Sequence, residues 1–578
     1  MGMAKIGLRT TILIGVGAVT LAACGGGSSS DGGTAGSSGE GTKGGTLYML
    51  TTDSQILHLD PQRNYTGEDL AFASGYLART LTAYTYAQGQ EGWTLQPDLA
   101  TDTGTASADN TEWSFTLRDG VTFQDGSPIT CEDVKYGVSR TFASSVITDG
   151  PSYAIQYLSI PVDKGGAPVY KGPYDTTASN DTAAFDEAVS CSDDNKTITF
   201  KLSDPVPDFN QTVTLTAFAP VPQAADTGAK YDNDVVSSGP YQIDSYKKGQ
   251  KLVLVRNPNW DEASDPIRPA YPDQIEVQFG IDPSVIDKRI MESQGDDANA
   301  IMREAVQPQN LATIFNSPQY ETRRWNELDP YSIYVAINTK IVTNQKLRNA
   351  IQAAWPRETT RTIAGGEYAG DLSDGVIQND FAGYEPTNLW TEGLGQPIPD
   401  NGDPEYAKQL IAESGEKMPV LNYQYVTSPT SDKAVGAVVE ALAKAGITVK
   451  PEPLEGGVYY GIILDPNKAG ALMGSGWGPD WGNASTIIPP LFTPNGGFDV
   501  SLWDNADFNA KVKEAQVASA EEQPALWNAL NAEAMQLGLV VPTRWSKVQR
   551  IAGTGVGGGY VWAPFGSWPY GDMWVNQG

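Results

Sequence analysis

The chain has 578 residues, 40% hydrophobic and 19% charged, which is enough for two or three lobes with a sizeable core. Its 39 basic and 69 acidic residues give a formal net charge of −30 at pH 7, which excludes a general electrostatic attraction to nucleic acid or anionic lipid. His58 is the single histidine, so multi-histidine zinc or nickel sites are excluded and a Ser-His-Asp triad would have to use that residue.

The first 23 residues have the pattern of a lipoprotein signal peptide. Lys5 and Arg9 precede a short apolar stretch, 11–20, and the run Leu-Ala-Ala-Cys that ends at Cys24 resembles a lipobox. We therefore expect residues 1–23 to be removed and Cys24 to be lipidated on the outer face of a bacterial cell membrane or in the periplasm. Residues 24–45, rich in Gly and Ser, are predicted to form a flexible tether. The alternative is an ordinary secretory signal.

Two further cysteines, Cys131 and Cys191, lie in the body of the chain. In an exported protein, two such cysteines more often form a disulfide than a metal site. A disulfide that closes about 60 residues would stabilise the fold by roughly 4 kcal/mol through loop-closure entropy. Two buried free thiols are the alternative.

Hydrophobic periodicity then predicts strands and helices from residue 46 onward. Residues 46–50, 113–117 and 197–202 are predicted strands, and 241–256 a hairpin that turns at 247–250. Thr130 is a predicted N-cap, with Asp133 three residues later, for a helix through Val134 and Val138. Residues 421–450 have the pattern of a βαβ unit with a right-handed parallel crossover. A short buried strand, 469–473, follows.

Two blocks of this pattern resemble a known family. Leu95 to Ala100 with Trp113 to Val134, and then Gly239 to Trp260, are similar to the signatures of family 5 extracellular solute-binding proteins. These are the oligopeptide- and dipeptide-binding components of ABC importers. The family usually has His at the position of Gln124 and Ala at that of Cys131, so the chain departs from it there. The resemblance covers roughly residues 45–578.

The resemblance implies an α/β, periplasmic-binding-protein-like fold of two lobes joined by a hinge. An extra domain is expected to be inserted in the first lobe. On this pattern, lobe I comprises 46–62, 196–280 and 538–578, the extra domain 63–195, and lobe II 281–537. The apolar last 40 residues are expected to complete the first lobe. The ligand is expected to lie in the cleft between the lobes.

The segment 474–483 carries the strongest site prediction. Two tryptophans and one carboxylate lie within five residues of a glycine-rich backbone, and this combination suits the binding of a small cationic group. A core turn with packed indoles and a helix-capping Asp is the alternative. The resemblance implies that Asp480 pairs with the α-ammonium of a peptide. The other predicted ligand residues are Ser475, Gly476, Trp477, Trp481 and Asn483, with Ser54 and Gln55 from the first lobe by fold analogy.

The function implied by the resemblance is the capture of peptides and their delivery, unaltered, to an ABC transporter permease. The expected partners are the peptide, the permease subunits and the membrane that holds the lipid anchor, with no nucleic acid, and the protein is expected to be a monomer. No phosphate-binding loop or dinucleotide fingerprint is present, so neither cofactor nor metal is predicted. The alternatives are a binding protein for a sugar or metal chelate, a peptide-sensing receptor and, least favoured, a carboxylate-based hydrolase.

Overall fold

The computed structural model describes residues 41–381, 383–494 and 496–576. The predicted signal peptide, Cys24 and most of the predicted tether lie outside these ranges. None of the helices in the described ranges is both long enough and apolar enough to cross a membrane.

The strands and helices have the following bounds. The strands are β1 Thr46–Leu50, β2 Thr82–Tyr84, β3 Leu95–Pro97, β4 Thr105–Ala106, β5 Glu112–Thr116, β6 Val189–Cys191, β7 Thr197–Lys201, β8 Tyr241–Lys247, β9 Lys251–Arg256, β10 Gln274–Gln278, β11 Ala300–Met302, β12 Arg324–Ile337, β13 Gly370–Asp371, β14 Leu421–Val426, β15 Val449–Leu454, β16 Leu472–Trp477, β17 Val540–Ile551, β18 Val556–Gly557 and β19 Trp574–Val575. The helices are α1 Gly67–Tyr76, α2 Cys131–Arg140, α3 Tyr153–Tyr157, α4 Thr182–Ala188, α5 Phe209–Thr212, α6 Pro283–Glu292, α7 Pro308–Asn316, α8 Gln345–Ala353, α9 Arg357–Ala364, α10 Pro404–Ser414, α11 Pro429–Lys444, α12 Gly456–Ile463, α13 Ile488–Phe492, α14 Ala506–Val517 and α15 Gln523–Gln536.

Two large mixed sheets organise the molecule. The first has the order β11-β1-β10-β9-β8, and the second has the order β13-β17-β12-β16-β14-β15. We call the body around the first sheet, with the smaller sheets attached to it, lobe I, and the body around the second sheet lobe II. In the first sheet β1 lies between β11 and β10 and runs parallel to both, and its Leu47 and Met49 are fully buried. A strand buried in this way can stay in register only with its apolar face toward the core.

The βαβ unit predicted in lobe II is confirmed. Strands β14 and β15 pair in parallel, and α11 connects them. Ser428 caps the helix through the backbone N–H of Ser431, and Pro429 occupies its first turn. Strand β16 adds parallel to β14, so the carboxyl ends of β14 and β16 lie at the same edge of the sheet. This edge carries the segment in which the sequence predicted the site.

The long strands β12 and β17 join the two lobes. They pair from Arg324 opposite Ile551 to Ala336 opposite Val540, with a shift in register between Leu328 and Ser332. The Ile551 end packs on the lobe I core, and the other end lies in the middle of the lobe II sheet. This two-stranded ribbon is the connection that any movement of one lobe against the other must bend.

Three strands pair with a strand that the sequence analysis assigned to a different lobe or domain. β7 pairs with β5 inside the predicted extra domain, β11 pairs with β1 of lobe I, and β17 pairs with β12 of lobe II. Each of these pairs joins segments that are distant in the chain, and local periodicity does not reveal such partners. The last residues do return to lobe I, where Trp568 Nε1 donates a hydrogen bond to the carbonyl of Met302 at 2.6 Å. The remaining boundaries stay predictions.

A small four-stranded sheet, β4-β5-β7-β6, packs beside α2. The predicted capping of this helix is confirmed, since the backbone N–H of Thr130 donates to Asp133 Oδ2 at 2.9 Å. Cys131, at the start of α2, is joined by a disulfide to Cys191 at the end of β6, with the two Cα atoms 5.8 Å apart. The bond therefore fixes the helix to the edge of this sheet.

We predict that replacing both cysteines, Cys131→Ala with Cys191→Ala, lowers the free energy of unfolding by roughly 4 kcal/mol, because the bond closes a loop of about 60 residues in the unfolded chain. Denaturant unfolding followed by tryptophan fluorescence measures this loss. The matched control is the wild-type protein in a reducing agent, which should show the same loss. Equal stability of the oxidised and reduced proteins would contradict the prediction.

Candidate functional site

The segment 477–486 forms a compact turn after β16. Trp477 Nε1 donates to the carbonyl of Thr486 at 2.6 Å, and the backbone N–H of Asp480 donates to Thr486 Oγ1 at 3.2 Å. Asn483 caps the short helical turn at 484–486 by accepting from the N–H of Ser485 at 2.9 Å. These bonds satisfy the backbone locally, so the Asp480 side chain is held in one place.

The Asp480 carboxylate faces lobe I. The Tyr153 hydroxyl donates to its Oδ2, and Tyr65 is a second hydroxyl donor. Burial raises the pKa of Asp480 to about 6, and the two tyrosine hydroxyls oppose this rise by stabilising the carboxylate. No cation of the described residues contributes to this environment. Asp480 is thus a half-buried carboxylate with no positive partner among the described residues, and a ligand cation would relieve the cost of its desolvation.

Tyr65 and Tyr153 also line a cavity of about 520 Å³, the tyrosine cavity. Trp477 and Thr486 form part of its lobe II wall, and Tyr157 adds to the lobe I wall. Further along, the cavity is bounded by Pro489, Pro490, Thr493 and Pro494. An aromatic enclosure beside a carboxylate suits an ammonium group attached to an apolar side chain. Trp477 lines this cavity, and its contact with a ligand stays a prediction.

Trp481 has a different role from the one predicted. Its side chain is fully buried, and its Nε1 donates to Asp208 Oδ2 at 2.9 Å. Its ring packs edge-on against Tyr153, with centroids 4.7 Å apart. A side chain enclosed in this way cannot touch a ligand, so the prediction of ligand contact is wrong for Trp481. Its ring instead packs against the Tyr153 ring, and its bond to Asp208 joins the turn to lobe I.

Asn483 lies away from the tyrosine cavity. Its Nδ2 donates to Gln523 Oε1 at 2.5 Å, and it lines a separate cavity of about 440 Å³ together with Trp93, Asp208 and Phe381. The neighbouring N–H of Gly482 donates to the Tyr84 hydroxyl at 3.1 Å. Asn483 is therefore bonded within lobe II, and the bond across to lobe I is made by its neighbour Gly482. The structure does not bring Asn483 to Asp480.

Ser475 and Gly476 belong to strand β16, although the predicted strand ended at residue 473. Ser475 pairs with Tyr334 of β12 and Gly476 with Ile333, and these ladder bonds keep the glycine-rich backbone extended. Both residues line a third cavity, of about 320 Å³, inside lobe II. A Cβ at Gly476 would lie 2.9 Å from the Ile333 side chain, so a larger residue would force that side chain to move.

Ser54 and Gln55 lie in yet another cavity, of about 520 Å³, in lobe I. Its walls are charged: Arg303 is paired there with Asp69, and Glu304 accepts from the hydroxyl of Thr51 at 2.7 Å. This cavity adjoins the tyrosine cavity through the consecutive residues 65 and 66, but the structure does not place Ser54 and Gln55 against Asp480.

Sequence reasoning missed the lobe I half of the site. Tyr153 and Tyr157 are four residues apart on the short helix α3, a spacing that places both on one helix face. That spacing is the one local feature that could have indicated an aromatic surface. Tyr65 lies just before α1, in a segment that has no recognisable motif. Their partner Asp480 lies more than 300 residues away in the chain, and only the folded arrangement brings them together.

Comparisons with known proteins agree with this architecture. The probable D,D-dipeptide-binding periplasmic protein DdpA of Escherichia coli (strain K12) is 27% identical over 452 residues, covering 75% of this chain and 76% of that protein. The oligopeptide-binding protein OppA of Bacillus subtilis (strain 168) is 22% identical over 528 residues, 88% of each chain. The solved structure of clavulanic acid biosynthesis oligopeptide binding protein 2 superposes with a TM-score of 0.84 at 29% identity, covering 93% of this chain and 96% of that one.

A second solved structure, the unliganded open form of the periplasmic murein tripeptide binding protein MppA, superposes with a TM-score of 0.69 over 92% of this chain and 97% of that one. The two-lobed α/β fold predicted from the sequence is confirmed by these likenesses. The family model described as bacterial extracellular solute-binding proteins, family 5 Middle, matches residues 94–499, well over half of the chain. The chain therefore belongs to the family 5 bacterial extracellular solute-binding proteins, as its sequence motifs predicted.

Proposed function

We propose that this protein captures peptides between its two lobes and delivers them, unaltered, to the permease of an ABC importer. The observation that carries the proposal is the Asp480 carboxylate, which is enclosed between the lobes without a cationic partner among the described residues. The α-ammonium of a peptide is a cation of matching size with three donors. The names of the relatives DdpA and OppA, a dipeptide-binding and an oligopeptide-binding protein, support the same ligand class.

The position of Asp480 explains how such a ligand would hold the lobes together. The carboxylate extends from lobe II, whereas Tyr65 and Tyr153 belong to the lobe I side. A peptide ammonium bound there would contact groups of both lobes at once, so it would bind a closed form better than an open one. Moving a mostly open protein to a mostly closed one requires about 5.5 kcal/mol of such differential affinity.

The sequence supports a membrane location for this binding step. A lipid on Cys24 and a Gly- and Ser-rich tether over 24–45 would hold the lobes within on the order of 25 Å of the membrane, given about 5–6 Å times the square root of the tether length. A permease in the same membrane would then receive the peptide from a monomeric binding protein. The extra domain, residues 63–195, would contribute Tyr65 and Tyr153 to the site.

We predict that Asp480→Asn weakens peptide binding at least tenfold, because an amide cannot form the charge-assisted bond to an ammonium. Titration calorimetry with a mixture of tripeptides, and then with the same peptides N-acetylated, measures this effect. Acetylation should weaken binding to the wild type and have little further effect on the variant. The control is Asp507→Asn, an exposed acid of α14 in lobe II, which should bind as the wild type does. Unchanged affinity in Asp480→Asn would contradict the assignment.

We predict that peptide affinity is full above pH 6 and falls as the pH is lowered through 6. The pKa of Asp480 is about 6 before binding, and an ammonium partner lowers it, so binding below pH 6 must first remove a proton. The loss should approach tenfold per pH unit. Asp329 and Asp380 also have pKa values raised to about 6 by burial, so the comparison with Asp480→Asn over the same range isolates the contribution of Asp480. A parallel decline in that variant would contradict the prediction.

We predict that peptides taken up by the protein return intact. Incubation with a peptide mixture should raise the melting temperature, because the ligand binds the folded state alone, and mass spectrometry after denaturation should recover the bound peptides at their original masses. Cleaved peptides would instead support the hydrolase alternative, and an absence of any bound peptide would contradict the proposed function.

A further inference from the structure

The tyrosine cavity has no charged side chain among the described residues that line it, although 19% of the chain is charged. Lobe I contributes Tyr65 and the aromatic rings of α3 to its walls. Lobe II contributes Trp477, the prolines of α13 and Val512 of α14. The cavity around Ser54 differs in this respect, because several acids and an arginine line it. The tyrosine cavity is therefore an apolar and uncharged space in an otherwise acidic protein.

Polar groups in the walls of this cavity are bonded to other parts of the protein. The hydroxyl of Thr493 donates to the carbonyl of Pro489 at 2.8 Å, and Gln156 Nε2 donates to the hydroxyl of Ser152 at 2.7 Å. Desolvation raises the pKa of the Tyr157 hydroxyl above its ordinary value, and nearby acids add to this rise, so the wall itself disfavours ionisation. A charged group that entered the cavity would lose its water without gaining an ionic partner, which is costly.

Hydrogen bonds connect the cavity directly to Asp480. Tyr65 and Tyr153, whose hydroxyls donate to the carboxylate, both line the cavity. Thr486, whose hydroxyl accepts from the N–H of Asp480 at 3.2 Å, lines it as well. An ammonium bonded to Asp480 would therefore lie at the border of the cavity.

The covalent geometry of a peptide limits what can follow that ammonium. The N–Cα bond is about 1.5 Å long, so the Cα and the side chain of the first residue come directly after the bonded nitrogen. The backbone of the next residues carries N–H and C=O groups that need partners when they are buried. An apolar side chain needs none, so it suits the uncharged walls better than the backbone does.

From this arrangement we infer that the tyrosine cavity receives the first side chain of the peptide and selects an uncharged, apolar one. The inference rests on the proposed function and narrows its ligands to peptides that begin with a residue such as Phe, Leu or Val. Because the ammonium already neutralises Asp480, a second cation gains little from this carboxylate. The volume of about 520 Å³ lies within the range of small-ligand pockets, roughly 300–1,000 Å³, and leaves room for an aromatic ring.

Two exposed glutamines form part of the rim of the cavity. Gln156 lies on α3 of lobe I, and Gln516 lies on α14 of lobe II. Gln516 follows Val512 by four residues, so both lie on one face of α14. A carboxylate introduced at residue 516 would therefore face the cavity and leave its buried wall unchanged. Gln516 is the position at which the selectivity can be altered with little change in side-chain shape.

The test uses tripeptides X-Ala-Ala in which X is Phe, Val, Lys or Glu. These peptides share the ammonium, the backbone and the C-terminus, so their affinities differ only through the first side chain. With the wild type, calorimetry should show about ten- to hundredfold tighter binding for Phe and Val than for Lys and Glu, since burial favours an apolar side chain and penalises a charged one. The series Ala-X-Ala should show a smaller difference, because the second side chain lies outside the cavity.

The variant Gln516→Glu should reduce the preference for Phe-Ala-Ala over Lys-Ala-Ala about tenfold, because the new carboxylate provides a partner for the lysine ammonium. The matched control is Gln319→Glu, which adds the same charge at an exposed glutamine that does not line the cavity. This control should keep the preference of the wild type, and it thereby separates a local partner from the general effect of one more negative charge.

Three results would overturn the inference and leave the proposed function intact. They are equal affinities of the wild type for the four X-Ala-Ala peptides, a stronger preference in the Ala-X-Ala series than in the X-Ala-Ala series, and an unchanged preference in Gln516→Glu. A wild type that binds none of the peptides overturns both the inference and the proposed function.

Discussion

The pairing of β12 with β17 is the constraint on which the rest of the structure depends. One end of this ribbon packs on lobe I, and the other occupies the centre of the lobe II sheet, so the two bodies share a hydrogen-bonded element in place of a free linker. The shift in register between Leu328 and Ser332 interrupts the ladder between the lobes. Regular pairing resists bending, so the interruption is where a change in the angle between the lobes can be absorbed.

The ribbon also sets the electrostatics of the cleft. The break in the pairing of β12 with β17 contains Asp329, and β16 pairs with β12 and leads directly to Asp480. Some buried charges are matched, as where Arg140 binds Asp60 and Arg268 binds Asp98 at 2.9 Å, whereas the buried carboxylates of Asp208 and Asp287 accept hydrogen bonds from neutral donors. An unmatched charge is costly, and one that lies between the lobes is a candidate for a ligand partner.

Much of the fold could be predicted from the sequence because local patterns dictate it. The βαβ unit over 421–454, the hairpin of β8 and β9 and the capping of α2 follow from periodicity and from residues near each helix or strand end. The sheet memberships of β7, β11 and β17 could not be predicted in this way. Each depends on a partner far away in the chain, and the hydrophobic pattern of a strand does not specify which neighbour it pairs with.

The site was predictable to a similar extent. Asp480 and Trp477 lie in a recognisable motif, and the structure places both between the lobes. Tyr65 and Tyr153 lie in segments without one, and their importance arises from the Asp480 carboxylate that both face. Trp481 lies within the motif but does not line the cavity. The sequence alone could not distinguish the two indoles, and the fold shows that Trp477 lines the tyrosine cavity whereas Trp481 is fully buried.

The two bonds to Asp208 have a consequence for the contact between the lobes. The indole of Trp481 and the hydroxyl of Ser485, both from lobe II, donate to the buried carboxylate of Asp208 in lobe I. Separating the lobes at this point would break both bonds and leave a carboxylate and two donors to be solvated again. Asp208 therefore acts as a polar anchor that favours the arrangement in which the two bodies touch.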